Sequence, residues 1–410
     1  MMLSNGGVVS AEDAARTPIR LVESGPAAGA LAGSWYAARL GERRLLCFDM
    51  GGTTAKSCLI EDGEPELTTT FEVARIYRFK KGSGFPVTVP SVDLVEIGAG
   101  GGSIARVDDL GLLKVGPDSS GAEPGPACYG RGGTSPTVTD ADLLLGYLDA
   151  DNFLGGDMRL DRSAAEDAIA KLATDLHLSI AETAAGIHEL VNNTMAAAAR
   201  MHAVERGTDL RGVPVIAFGG AGPVHACGVA ELLEADRVVF PVNASVLSAF
   251  GTLVSPVRMD LARSLPPGAA RDALLDELRA EGRRVLEAAG VAPDEVTFRH
   301  GVDARYVGQG NEVTVWLDGD PGDEAAMVEA FTAEYKRIYG LAIPDVAVEV
   351  VTWRVSAVAQ AASVEPDAGS GGEAGERSTR PARFGRGSDA VDTAVVRRTS
   401  LRPGDRITGA

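Results

Sequence analysis

The sequence predicts a mixed α/β domain followed by a smaller α+β unit. Three observations predict it. Strand-like apolar runs alternate with amphipathic helical stretches from about residue 45 to about residue 240. Glycine clusters stand next to those runs: Gly51-Gly52, the stretch from Gly98 to Gly133, and Gly219-Gly220-Ala221-Gly222-Pro223. Beyond about residue 262 the texture changes to a long helix, two strands, another helix and another strand. The 410 residues suffice for two or three domains, and with 45% apolar residues they can build real cores.

Each element follows in order. Residues 24–40 (SGPAAGALAGSWYAARL) read as a helix with small residues on its packed face and Gly41 as its stop. Residues 45–50 and 55–61 read as strands joined by the hairpin Gly51-Gly52-Thr53-Thr54. Residues 67–97 alternate enough for more strands, and 98–139 are mostly loop with short strands such as LGLLKV. Helical pattern begins near residue 140. Ser163 with Glu166, and Ser179 with Glu182, have capping-box spacing. The second box opens a long helix to about Arg206, with Ile187, Val191, Met195, Ala198 and Met201 as apolar positions and Gly207 after it. A strand at 213–218, the third glycine turn, a helix at 223–234 and a strand at 236–240 come next.

In the second unit, RDALLDELRAEGRRVLEAAG is an amphipathic helix, VTFRHGVDARYVG and EVTVWLDG are strands, 323–339 is a helix and VAVEVVTWRVSAVAQ a strand. Residues 363–390 are rich in Ser, Gly, Pro and charge and read as linker or disorder. TAVVRRTSL regains strand character. The expected boundaries are 1–261, 262–362 and 363–410, the last a flexible linker and the start of a truncated small β module.

Composition excludes several functions. A net charge of −18 repels phosphate backbones, so no nucleic-acid partner is expected. No apolar run reaches the roughly 20 residues of a membrane helix. MMLSNGGVVSAED has no basic segment followed by an apolar core, so no signal peptide is read there. Four cysteines without a CxxC indicate neither a zinc ribbon nor a disulfide framework. A reduced, cytoplasmic protein is the expectation.

Glycine needs a chemical reason, since 50 residues is well above the average usage of roughly 7%. In FDMGGTTAKSCLI, a Gly-Gly turn exposes backbone N–H groups, and Thr53 and Thr54 add hydroxyls; together they can hold phosphate oxygens. A Cβ at Gly52 would intrude there. Asp49, at the end of the incoming strand, can hold Mg²⁺ through water. The GxxxxGK[ST] spacing of a Walker loop is absent, and the alternative is an ordinary hairpin with a solvated Asp. In VIAFGGAGPVHACGVAELL, a strand runs through a glycine turn into a helix, which offers free N–H groups and flat backbone to a nucleotide; a tight β–α connection is the alternative. His225, in that helix, suits a packed role better than a catalytic one. Glu96 and Asp93 precede IGAGGGS, and Cys128 is a lone thiol with no evident His partner. Asp140 caps the following helix or faces the phosphates or metal. His188 and His202, nearly four turns apart on the long helix, are too distant to share a metal.

LxESGPAAGA at 21–30, FDMGGTTAK at 48–56, EIGAGGGSIA at 96–105, GPACYGRGG at 125–133, PTVTDA at 136–141, AFGGAGPVHA at 217–226 and RYVGQGNE at 305–312 together resemble the hydantoinase A/5-oxoprolinase family. The resemblance implies an actin-like and Hsp70-like (ribonuclease H-like) ATPase lobe, incomplete at its N-terminus, followed by the α+β domain. It implies ATP with Mg²⁺ or Mn²⁺, often with a monovalent cation such as K⁺. It also implies phosphorylation of a carbonyl oxygen in a cyclic amide such as a hydantoin or 5-oxoproline, with a hydantoinase B-type subunit as partner. Members related to acetone and acetophenone carboxylase subunits offer carboxylation as the alternative. Carried over, Gly51, Gly52, Thr53 and Thr54 match the second phosphate hairpin, and Asp49 its acidic residue at the metal. Asp49, Glu96 and Asp140 are the candidate catalytic carboxylates. Gly219, Gly220, Ala221, Gly222 and Pro223 match the nucleotide turn. The family's first Asp–Gly–Gly–Thr hairpin has no counterpart within residues 1–410, so a separate chain supplying that lobe, or a non-catalytic truncated fragment, is also expected as a possibility to test. A sugar kinase-like enzyme fits less well, because the IGAGGGS and GPACYGRGG blocks argue against it.

Overall fold

Two sheets with separate cores organise the described part of the chain. The computed structural model describes residues 1–73, 84–265, 270–360, 364 and 378–408. The elements in order are α1 (Ala11–Arg16), α2 (Ser24–Leu40), β1 (Arg44–Met50), β2 (Ala55–Glu61), β3 (Glu64–Pro65), β4 (Leu67–Val73), β5 (Phe85–Val92), β6 (Val95–Ile97), β7 (Ser103–Val107), β8 (Leu113–Ser119), α3 (Val138–Leu144), α4 (Arg162–Leu176) and α5 (Ile180–Glu205). Then come β9 (Val215–Phe218), α6 (Gly222–Leu232), β10 (Val238–Val239), α7 (Leu247–Val254), β11 (Val257–Arg263), α8 (Arg271–Ala288), β12 (Thr297–Tyr306), β13 (Val313–Leu317), α9 (Glu324–Tyr339), β14 (Val348–Ala359), β15 (Ser378–Ala382) and β16 (Val391–Val395). No helix among the described residues is long and apolar enough to cross a membrane.

The first sheet has the order β10-β9-β1-β2-β3, with β6 also on β2. β1 runs antiparallel to β2 and parallel to β9. Strand residues alternate between two faces. Leu45 and Cys47 join the core under α2, while Leu46, Phe48 and Met50 join the core under α5 and α6. The small-residue face of α2 lets it lie close to the sheet: a Cβ on Gly33 would sit 2.2 Å from Cys47 Sγ. Gly41 ends α2 in the left-handed conformation, at φ 68°.

The second sheet, β11-β14-β12-β13, is wholly antiparallel and covered by α8 and α9. Its core draws on residues from both sides of position 261. β11 crosses that position, and Leu3, Val9 and Ala14 are buried in the second core. Val8 bridges Val257, and Asn5 donates from Nδ2 to Asp260 Oδ2 (2.7 Å).

Four local expectations change. Asp161, not Ser163, caps α4 by accepting from Ala164 N–H (3.0 Å), because the helix starts two residues earlier than the Ser–Glu spacing suggests. Thr137 caps α3, and Asp140 is its N3 partner in a reciprocal capping box. Met201 is 45% exposed; the buried stripe of α5 passes through His202 instead, as the 3.6-residue period carries it round. Within the expected linker, β15 pairs with β16 and docks on the first domain, where Arg383 N–H donates to Leu145 O (2.9 Å) and Tyr147 Oη–H to Arg383 O (2.7 Å). The rest of that linker, 363 and 365–377, lies outside the described residues, as do 74–83 within the expected strands of 67–97. The Ser179–Glu182 box opens α5 as the spacing predicts.

Candidate functional site

The three glycine clusters, far apart in sequence, converge at one end of β1. The hairpin between β1 and β2 closes where Gly51 N–H donates to Thr54 O (3.0 Å). The loop at 98–102 then lies along it, with Gly101 N–H donating to Gly51 O (3.0 Å) and Gly102 N–H to Gly52 O (2.6 Å). Only glycine permits that approach: a Cβ on Gly100 would stand 2.6 Å from the backbone of Gly52 and Thr53. The third turn comes from β9, the parallel neighbour of β1. Ala221 N–H donates to Met50 O (2.9 Å), and Gly219, at φ +84°, would bring a Cβ to 2.4 Å from Asp49 Oδ1. Thr139, from α3, donates both its N–H and its hydroxyl to Gly101 O, each at 2.8 Å.

The tips point outward. Gly52 and Gly220 are exposed, and a Cβ on either would meet nothing within 4 Å. A side chain at Gly52 therefore clashes with no protein atom and would project into the space outside the hairpin. Among the described residues, nothing accepts from the N–H groups of Gly52, Thr53 or Gly220. Unpaired, outward N–H groups on two adjacent turns are an anion-binding arrangement.

Asp49 sits half-buried between these turns. Burial pushes its carboxyl up, and nearby Lys56 opposes that. Lys56 Nζ donates to Thr54 Oγ1 (2.6 Å) and pairs with Glu96 Oε1 (2.9 Å). Glu96 is thus brought to the hairpin, across the β2–β6 pairing that sets Lys56 opposite it. Glu23, at the start of α2, joins the group: burial and the neighbouring Glu96 raise its carboxyl, against Lys56. Neither Lys56 nor Glu23 was singled out from the sequence, although both stand inside the FDMGGTTAK and LxESGP blocks.

Asp140 is placed differently. Fully buried, it accepts from the N–H groups of Ala127, Cys128 and Thr137 and from the Thr137 hydroxyl. Both oxygens are therefore occupied in pinning the 126–129 turn to α3, and the carboxylate does not face the hairpin. Its neighbour Cys128 is buried, and burial with Asp140 drives the thiol far above its ordinary value, away from thiolate chemistry. His202 lies 3.6 Å from Asp93 Oδ2. His188 and His225 meet Asp142 in a separate cluster, with His225 in α6, the helix that begins in the Gly219–Pro223 turn.

The geometry can be compared with known proteins. The model of the hydantoinase/oxoprolinase family matches residues 1–261, and that of the hydantoinase/oxoprolinase C-terminal domain matches 268–410. The caprolactamase subunit alpha of Pseudomonas jessenii is 37% identical over 370 residues, covering 87% of this chain and 52% of that protein. The crystal structure of the ATP-dependent caprolactamase from that organism aligns with TM-score 0.75 and 34% identity, over 96% of this chain and 58% of the other. The acetone carboxylase beta subunit of Xanthobacter autotrophicus is 30% identical over 438 residues, covering all of this chain and 59% of that one. This chain therefore spans between about half and three-fifths of the length of these relatives, which are named as subunits of larger enzymes. The motif order, the fold and both family models agree that the chain belongs to the hydantoinase/oxoprolinase family.

Proposed function

We propose that this chain is the ATP-using part of an enzyme that activates the carbonyl oxygen of a cyclic amide by phosphorylation, on one lobe of an actin-like ATPase fold. The observation that carries this reading is the pair of outward glycine turns, with free N–H groups of Gly52, Thr53 and Gly220 and the Asp49 carboxylate between them. In this reading the Gly51–Thr54 hairpin receives phosphate oxygens, and the turn from Gly219 to Pro223 receives the nucleoside. A donor-free carboxylate beside a phosphate cradle suits Mg²⁺, which binds through one or two carboxylates plus substrate phosphates. When bound, that ion supplies charge neutralisation to the phosphates. Asp49 would hold it, and Lys56, braced by Glu96, adds a positive charge at the hairpin and orients the Thr54 hydroxyl. Transfer of the γ-phosphoryl group to the amide oxygen releases ADP and makes the carbonyl carbon a stronger electrophile; water adds there, the C–N bond breaks as the ring nitrogen takes a proton, and a second water releases phosphate from the resulting acyl phosphate. A hydantoinase B-type subunit is the proposed partner. The name of the caprolactamase relative, whose substrate is a lactam, supports this class.

A second reading, ATP-driven carboxylation, is favoured by the alignment to the acetone carboxylase subunit over the whole of this chain. The test is phosphate release by the assembled enzyme. Release that requires ATP and rises with a lactam, without bicarbonate, supports the first reading. A strict bicarbonate requirement supports the second, and turnover independent of ATP overturns both.

A further inference from the structure

A second constellation lies one helix turn behind the nucleotide turn, where α3, α5 and α6 meet. Asp142, His188 and His225 each bring one ligand-capable atom to a common point, with those atoms within 4.8 Å of one another. The histidine rings stack at 4.6 Å between centroids, 18° from parallel. His188 Nδ1 is 2.7 Å from Asp142 Oδ1. Asp142 and His225 are buried, and the His188 side chain is 12% exposed.

Buried groups face both ring nitrogens of His225. Its Nδ1 lies 2.8 Å from Asn192 Oδ1, an acceptor, so Nδ1 carries the proton and donates. Its Nε2, fully buried, lies 3.2 Å from Asp142 Oδ2. A ring nitrogen and a carboxylate oxygen this close in a buried site are satisfied by a shared proton or by a metal ion. The fold has made room for the orienting amide: a Cβ on Gly228 would stand 2.5 Å from Asn192 Nδ2. A metal-bound imidazole typically has its other nitrogen fixed in just this way.

We propose that Asp142, His188 and His225 form a binding site for a borderline-soft divalent ion such as Zn²⁺. Two imidazoles and one carboxylate are a zinc-type donor set, not the all-oxygen set that Mg²⁺ prefers. Ligands about 2.1 Å from a tetrahedral ion lie roughly 3.4 Å apart, so the most widely separated of the three groups must close by up to about 1.4 Å on binding. His188 and Asn192 also line a cavity of about 810 Å³, walled by Tyr147, Pro223 and Phe384, which gives an entry path. The ion would tie together three helices that support the nucleotide site, since α6 begins at the glycine turn and α3 carries Thr139. The proposal stands apart from the nucleotide reading, because its test reads metal content and not turnover.

The test is zinc titration of the untagged full chain after stripping with a chelator, followed by substitution with Co²⁺. One equivalent of Zn²⁺ bound below micromolar, and a visible Co²⁺ spectrum of tetrahedral nitrogen and oxygen ligation, are expected. His188→Gln should weaken binding at least a hundredfold with an unchanged circular dichroism spectrum. Asn192→Ala should weaken it about 10–100-fold by freeing the His225 ring. If His188→Gln fails to fold, Asp142→Asn, which preserves volume, reads the same loss. Wild-type chain that takes up no stoichiometric zinc, or a folded variant that binds it like the wild type, overturns the proposal.

Discussion

Gly52 and Gly219 stand on the same site yet have opposite constraints. At Gly219 the backbone is left-handed and a Cβ would strike Asp49 and Met50. Gly219→Ala should therefore cost about 1–3 kcal/mol in chemical denaturation, before any ligand is considered. At Gly52 the protein leaves the space open. Gly52→Val should leave the melting temperature within about 2 °C of wild type, as surface substitutions usually do. The same change should weaken Mg-ATP binding by roughly a hundredfold or more, because about two charge-assisted hydrogen bonds are lost. Calorimetry that finds unchanged ATP affinity in a folded Gly52→Val variant would remove the hairpin from the phosphate site. Asp49 gives a pH test. Burial raises its folded-state pKa, so the folded chain holds that proton to higher pH than the unfolded chain does. Its contribution to stability is most favourable below the unfolded value of roughly 3.9 and is lost as pH rises through the folded one. Asp49→Asn should accordingly raise the melting temperature at neutral pH, with the gain vanishing in acid, while Mg-ATP binding falls. A gain that persists unchanged in acid would contradict this origin.

Capping chemistry decides where the helices begin, and the competition between candidate caps is measurable. Asp161→Ala should destabilise the first domain by about 0.5–2 kcal/mol, whereas Ser163→Ala, inside the first turn of α4, should be near neutral. Ser179→Ala should cost an amount similar to Asp161→Ala, since Ser179 accepts from Glu182 N–H and Glu182 reaches back to Ser179. Equal costs at Asp161 and Ser163 would mean that the helix starts elsewhere in solution. Spacing made α2, α5, α8 and the β1–β2 hairpin legible, because each has a strong periodic face or a glycine stop. It misjudged α3 and α4, where two polar residues near one helix start both fit a cap and only backbone direction chooses between them.

The make-up of the second core was the least legible property at the scale of the whole molecule. Leu3, Val9 and Ala14 are buried in the core of the second sheet, some 250 residues away along the chain. Leu3→Ala should therefore cost about 2–5 kcal/mol. Hydrogen exchange should show the loss of protection first in β11 and β14, and not in β1 and β2. The reverse pattern would place the N-terminal segment in the first domain. The C-terminal hairpin makes the opposite excursion, crossing back to wall the cavity beside His188.

The sequence by itself determined the family, the alternation of α and β, and the three glycine-rich turns. Those are local properties: a turn needs its glycine wherever it lies, and an amphipathic face shows in its period. Tertiary structure alone decided that the three turns share one site, because only the parallel pairing of β1 with β9 sets Asp49 against Gly219. It alone moved Asp140 from candidate catalyst to loop anchor. It also brought His188 and His225 to one carboxylate from three different helices. Side-chain convergence depends on how elements pack, and spacing along one helix carries no record of its neighbours.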